Sequence, residues 1–415
     1  MVHGFLNFIL ALVIVIVAAK LGGYISTRFR QPSVLGELLA GLVLGPTVFD
    51  MLHAWPVFAE SEALGEELAL MAEMGVLLLM LLAGLELHLD ELLKSGKVAA
   101  FAGVLGVIVP MGLGYGTAIL FDVSQVEALF MALTLAATSV SISAQTLMEL
   151  HVLRSRVGLG LLGAAVFDDI MVILLLSVST VLVGGAGGGM GAVLSTVAGM
   201  IIYLVVAIAV GFWLLPRIAV WIHRLPISQS TIAFVLVTCL LYAWAAEVLG
   251  GMAAITGAFL VGLFLARTPF REQMEQGISV MAYGFFVPIF FVNIGLEVNM
   301  RAIGVDLLWF AVAITVVAII SKIIGSGGGA LLGGMSPKES FQLGIGMVSR
   351  GEVGLIVASF ALSQGTLSEE EFSIAVFMVI VATLVTPPML RAAFARAPQE
   401  TGQEPETAQL SETKE

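Results

Sequence analysis

The sequence predicts an all-α, polytopic membrane protein of about thirteen transmembrane helices built from inverted repeats, and three observations predict it. First, 59% of the 415 residues are hydrophobic and 12% are charged, with a mean hydropathy of +1.06. Soluble domains do not carry that composition, whereas a bundle of spans of ~20 residues does. Second, the Lys and Arg residues recur in alternate loops. Third, two spans at matching places in the two halves are interrupted by polar residues and glycine.

Loop punctuation by Pro, Gly and charge sets the spans in order. The first, 4–26, has no Lys or Arg before it and is too long for the apolar region of a signal peptide. The second, 34–49, follows Arg28 and Arg30, and the third, 68–87, follows the acidic loop of Glu60, Glu62, Glu66 and Glu67. The fourth to sixth, 98–121, 126–150 and 157–183, are set off by Lys94, Lys97, Arg154 and Arg156. The seventh to tenth are 190–222, 231–249, 251–265 and 280–296, with Arg217, Arg224, Arg267 and Arg271 near their ends. The last three, 307–332, 341–362 and 372–390, are separated by Lys338 and by Glu369, Glu370 and Glu371.

With the N-terminus outside, fifteen of the eighteen basic residues fall on the inner side, Lys20, Arg391, Arg396 and Lys414 among them. Arg301 alone falls outside, and Lys322 and Arg350 lie within spans. That bias is the positive-inside pattern and places the C-terminus in the cytoplasm. From Ala397 onward the chain is rich in Pro, Gln, Thr and Glu, so 398–415 reads as a disordered acidic tail. The formal charge of −12 therefore says little about partners: membrane lipid is expected, nucleic acid is not. One cysteine, Cys239, excludes an intramolecular disulfide and a cysteine-based metal cluster.

The fifth span carries Thr138, Ser139, Ser141, Ser143 and Gln145 at its middle. The twelfth carries Gly344, Gly346, Gly351 and Gly354 with Arg350 and Glu352. Such stretches are tolerated at membrane depth where backbone packs in protein or lines a cavity. The two lie seven spans apart and cross in opposite senses. This fits an inverted repeat of spans one to six against eight to thirteen, whose half-helix ends meet near the midplane. The plainer alternative is that the hydroxyls bond back along their own helices and the glycines permit close packing.

Asp168 and Asp169 sit inside the sixth span, where an ionised carboxylate is costly and marks a path for ions or protons. Adjacent residues point about 100° apart, so the two take different roles. One faces a cavity; the other faces a neighbouring helix, where Lys322 is the intramembrane partner. A dehydrated small cation wants carboxylate, hydroxyl and carbonyl oxygens, which Asp168, Asp169, Thr138 and Ser139 supply. A carboxylate held in low dielectric favours its neutral form. Cation and proton then compete for one site, which gives exchange. If Lys322 also releases its proton when the cation arrives, two protons are coupled per cation and exchange is electrogenic. A structural ion pair without ion traffic is the alternative for Asp168 and Lys322. Arg350 and Glu352 are expected to pair with each other across the interruption, and Glu73 and Glu86 could line an access funnel. An intramembrane aspartyl protease would need its carboxyls on facing helices, which adjacent aspartates forbid. An organic-anion symporter would not explain the Asp-Asp and Lys322 set. No cofactor and no enzymatic activity are expected.

Ala137-Thr138-Ser139-Val140, Phe167-Asp168-Asp169-Ile170, Phe290-Phe291-Val292-Asn293-Ile294-Gly295-Leu296, Ser321-Lys322 and Arg350-Gly351-Glu352-Val353-Gly354 occur here in order. In this the chain resembles the CPA2 superfamily of monovalent cation:proton antiporters, with the bacterial NapA-like Na⁺/H⁺ branch most similar. The resemblance implies a transmembrane antiporter domain over residues 1–397. Within it a six-helix core would shift, elevator-like, against dimerisation helices, and the protein would be a homodimer in the bacterial inner membrane. It implies that Asp169 is the principal ion and proton carrier, that Asp168 pairs with Lys322, and that Glu352 belongs to the crossing region. Potassium-efflux relatives of the Kef type carry Gln-Asp and append a nucleotide-binding domain. Here the pair is Asp-Asp and no Gly-x-Gly-x-x-Gly follows Arg396, so that regulatory domain is not expected; a Kef-type K⁺/H⁺ antiporter lacking it is the alternative. Relatives often have a proline where Met347-Val348-Ser349 precedes Arg350.

Overall fold

A computed structural model of the chain describes residues 2–29, 31–59, 63–86, 95–182, 189–297 and 307–395. The expected acidic tail, Arg301 and Lys414 lie outside the described residues. Everything regular among them is helical, as it must be where no water is at hand to satisfy the backbone. Among the described residues, ten helical stretches are long and apolar enough to cross a membrane, and three shorter apolar ones accompany them, Ser33–Leu44, Ala254–Leu265 and Val353–Leu362.

The first long helix is α1 (Val2–Arg28), and α2 (Ser33–Leu44) packs against it, Gly22 and Gly36 letting the two backbones touch. The expected second span reaches Phe49, but the helix stops at Leu44 because Pro46 bars the helical conformation for Gly45. A short turn, α3 (Met51–Ala54), leads into α4 (Leu64–Glu86), which begins four residues before the sequence-based boundary. Then come α5 (Gly96–Leu120), α6 (Gln125–Ala136), α7 (Val140–Glu149) and α8 (Arg156–Leu182). A capping box of Ser124 and Glu127 starts α6.

The expected seventh span is divided at Leu214 into α9 (Gly189–Trp213) and α10 (Leu215–His223), with Pro216 in the first turn of the second piece. Next are α11 (Ser230–Val248) and the short α12 (Ala254–Leu265). The tenth span begins nine residues early, as α13 (Arg271–Met281), and passes through a wide turn at Ala282–Phe286 into α14 (Val287–Leu296). Pro288 has no N–H and its ring would strike the carbonyl of Gly284, so the wider turn absorbs the misfit. The chain closes with α15 (Leu308–Leu332), α16 (Pro337–Gly346), α17 (Glu352–Ser363) and α18 (Glu369–Phe394). Capping boxes at Ser336/Glu339 and Ser368/Glu371 start α16 and α18.

Two groups of helices pack mainly within themselves. The pairs α5 with α15 and α5 with α8 anchor one group, which also holds α6, α7, α16, α17 and α18. The other joins α4 to α12 and α14, α1 to α2, and α11 to α12. Between the groups, α7 meets α4 and α2, α18 meets α2, and α9, which packs with α10, α11 and α12, also meets α8.

Candidate ion-binding site

Helix α6 stops at Ala136, residues 137–139 run extended, and α7 resumes at Val140. Helix α16 stops at Gly346, and α17 begins at Glu352. The two interruptions lie against each other. The Ser139 N–H donates to the Ser349 carbonyl at 2.9 Å, and the Ser349 hydroxyl donates to the Ser139 carbonyl at 2.5 Å. Ser143 Oγ donates to the Gly346 carbonyl at 2.5 Å and lies 2.9 Å from Ser349 Oγ. Ser139 Oγ and Ser141 Oγ share a hydrogen bond of 3.0 Å. Backbone groups released by the breaks are thus satisfied by one another and by serine hydroxyls, as burial demands. The approach is close enough to require glycine at 351, where a Cβ would stand 2.6 Å from both Cβ and Oγ of Ser139.

Arg350 is fully buried at this crossing. Its Nη1 donates to the carbonyls of Met347 at 3.1 Å and Val348 at 2.9 Å, and Nη2 reaches the Ala318 carbonyl on α15 at 3.1 Å. The Arg350 carbonyl in turn accepts from the Thr383 hydroxyl on α18. A guanidinium placed there offsets the negative end of the half-helix α16 and occupies carbonyls that no water can reach. The expected Arg350–Glu352 pairing lies outside the described residues, because the side chain of Glu352 is not among them. Among the described residues, the partners of Arg350 are carbonyls.

On α8 the two aspartates diverge. Asp168 is fully buried, and Lys322 Nζ, also at 0% exposure, donates to its Oδ1 at 2.6 Å. Beyond the contact between Thr138 and Asp168 themselves, neither Asp168 Oδ2 nor the Thr138 hydroxyl meets a hydrogen-bond partner among the described residues. Two buried oxygens with no further partner, next to a lysine-bound carboxylate, are costly unless a ligand meets them. Asp169 instead lines a cavity with Met80 of α4, Val140 of α7, and Ile255, Thr256 and Phe259 of α12. Its volume is ≈ 20 Å³, room for about one water-sized body. A bare monovalent cation fits such a space.

The structure therefore brings Asp168, Thr138 and Lys322 together, puts Asp169 one step away on the cavity side, and spends Ser139 inside the crossing. Glu86 lines a second cavity of ≈ 490 Å³ with Gln145, Glu149, His151, Arg154 and Tyr283. Glu73 is not on it: thirteen residues up α4, it stands ~20 Å away along the helix axis, so the two glutamates do not share a funnel. Ser143 and Ser349 stood in the sequence only as members of polar stretches, and only a partner helix could reveal their role; Thr383 and Thr256 give no sequence signal.

The family described as "Sodium/hydrogen exchanger, transmembrane" matches residues 13–396. The chain belongs to the sodium/hydrogen exchanger family. The Na(+)/H(+)-K(+) antiporter GerN of Bacillus cereus is 37% identical over 388 residues, 94% of this chain and 96% of the relative. The Na(+)/H(+) antiporter of Enterococcus hirae is 33% identical over 387 residues, 93% and 98% of the two. Among solved structures, the sodium proton antiporter MjNhaP1 from Methanocaldococcus jannaschii at pH 8 aligns with a TM-score of 0.66 over 94% of this chain and 97% of that one. At 16% identity it shows a shared fold. As a member of this family the protein is a multi-pass membrane transporter rather than an enzyme. The expected kinship with cation:proton antiporters holds at that level.

Proposed function

We propose that the protein exchanges Na⁺ or Li⁺ for protons across the membrane. The observation that carries this reading is the pair of buried oxygens, Asp168 Oδ2 and Thr138 Oγ1, which meet no described residue beyond the Thr138–Asp168 contact, beside an Asp169 that opens on a cavity of single-ion size. In this reading Asp169 carries cation or proton in turn, and Asp168 binds Lys322 when no cation is present. A cation shared by the two carboxylates repels the ammonium. If Lys322 then gives up its proton, two protons leave for each cation that enters, and the exchange moves net charge. A site that must hold one passenger or the other when it crosses cannot leak either.

The α5–α8 and α15–α18 group would be the moving core, shifting elevator-like against the remaining helices. The sparse packing between the groups and the cavity between Asp169 and α12 support that division. The thirteen-span inverted repeat, with α6/α7 and α16/α17 as its broken helices, a homodimer, and a bacterial inner membrane with the N-terminus outside complete the proposal. K⁺/H⁺ exchange is the second reading, favoured by the joint Na⁺ and K⁺ in the name of GerN.

Proton flux in proteoliposomes under a pH gradient tests both, with Na⁺, Li⁺ and K⁺ added in turn and Asp169→Asn as control. Flux driven by Na⁺ or Li⁺, sensitive to voltage and absent in the variant, is the expected result. A response to K⁺ alone selects the second reading. Flux that survives in Asp169→Asn refutes the assignment of the carrier.

A further inference from the structure

Ser326 lies one turn beyond Lys322 on α15, at the spacing where side chains share a helix face. Its hydroxyl is fully buried and has no hydrogen-bond partner among the described residues. Such an atom asks for an explanation. The facing position on α5 is Gly106. A Cβ built there would stand 2.3 Å from Ser326 Oγ and 3.7 Å from Lys322 Nζ. The absent side chain at 106 therefore lets an unused acceptor, Ser326 Oγ, lie against the α5 backbone close to the ammonium. That ammonium has three N–H donors, of which one goes to Asp168.

We propose that Ser326 Oγ, above Gly106, is a second seat for the Lys322 head group, taken when a cation on the Asp168 carboxylate displaces it. The inference rests on the exchange reading, in which the Asp168–Lys322 contact opens with each cation bound. An amine pushed off its carboxylate inside a membrane has no water to turn to, and leaving it unpaired is expensive. A hydroxyl one turn along the same helix meets that need by rotation of the lysine side chain alone, with the backbone at rest. Ser326 touches no cation in this scheme. It is a positioning residue that acts through Lys322, easing cation binding by holding what the cation dislodges.

The test is Ser326→Ala in the full-length protein, read as Na⁺-dependent proton flux in proteoliposomes. Losing one hydrogen bond in the cation-bound state should raise KM for Na⁺ roughly three- to tenfold, with the maximal rate little changed. Gly106→Ala, whose Cβ would displace Ser326 Oγ, should raise KM at least as much. In a Lys322→Gln background, Ser326→Ala should have no further effect, as a double-mutant cycle requires of residues that act together. Na⁺-dependent elevation of the thermal unfolding midpoint reports the same binding in any variant too slow for flux.

A merely structural hydroxyl differs in the transport readout. The hydroxyl is unpaired without Na⁺ on either account, so a raised unfolding midpoint decides nothing, but deletion of a merely structural one leaves KM unchanged. That result overturns the proposal, as does a KM effect that persists without Lys322. Wild-type protein that shows no Na⁺-, Li⁺- or K⁺-driven flux would overturn the exchange reading itself. Wild-type flux with an unaltered KM in Ser326→Ala overturns the second seat alone.

Discussion

Replacing Lys322 by alanine removes the one side-chain cation bonded to Asp168 among the described residues, and the size of the effect follows from the geometry. The two groups are 2.6 Å apart with side-chain exposures of 0% and 1%. At an effective dielectric constant of about 20 their attraction is roughly 6 kcal/mol before desolvation is counted. Most of that offsets the burial of two charges. Deleting one partner leaves the other charge buried and uncompensated, which costs about 3–5 kcal/mol. Protonating Asp168 neutralises that charge, so acidification should return part of the loss. The assay is thermal unfolding of purified protein in detergent at pH 8 and pH 5. Lys322→Ala should unfold several degrees below wild type at pH 8, with a smaller gap at pH 5. A midpoint equal to wild type at pH 8, or a gap that widens on acidification, refutes the claim that Lys322 compensates a buried Asp168 charge. The same variant in proteoliposomes bears on coupling: any exchange it retains should respond less to voltage, since the second proton of the cycle is gone.

Two further outcomes are expected. Gly351→Ala places a Cβ 2.6 Å from Ser139 Cβ and Oγ, so the interrupted helices must part; a loss of about 1–3 kcal/mol in stability and a drop in transport rate should follow. Unchanged melting and transport would mean the crossing is looser than its hydrogen bonds indicate. Thr138→Val deletes a buried hydroxyl that, among the described residues, meets nothing beyond Asp168. Stability should hold or rise while KM for Na⁺ increases several-fold, the worth of one ligand oxygen; an unaltered KM would remove Thr138 from the site.

The helical class and most of the bundle were legible because their signals are local. Twenty apolar residues between charged loops need no partner to be recognised, and the bias of Lys and Arg orders them. The legible part of the site was local too. Asp168 and Asp169 stand out because few charges enter such a segment, and their divergence follows from helix geometry alone. Boundaries were less legible where a proline acts at a distance of a few residues. Pro46 ends α2 early, Pro288 forces a wide turn into a helix that starts at Arg271, and Pro387 and Pro388 lie within an α18 that runs on to Phe394.

By itself, then, the sequence determined that the chain threads a membrane repeatedly, that two of its segments carry polar residues and glycine unlike an ordinary lipid-facing helix, and that a carboxylate pair sits among apolar residues. These properties depend on what neighbours in the chain are, and a bilayer makes their meaning nearly unambiguous. The tertiary structure alone decided which oxygens remain unspent. Ser139 turns out to serve Ser349 and Ser141, Arg350 is given over to carbonyls of its own break and of Ala318, and Ser326 shares a space with Lys322 over a glycine that lies more than two hundred residues earlier. Hydrogen bonds saturate, so whether a hydroxyl is free to meet an ion depends on every competitor within reach, and those competitors come from helices far apart in the chain.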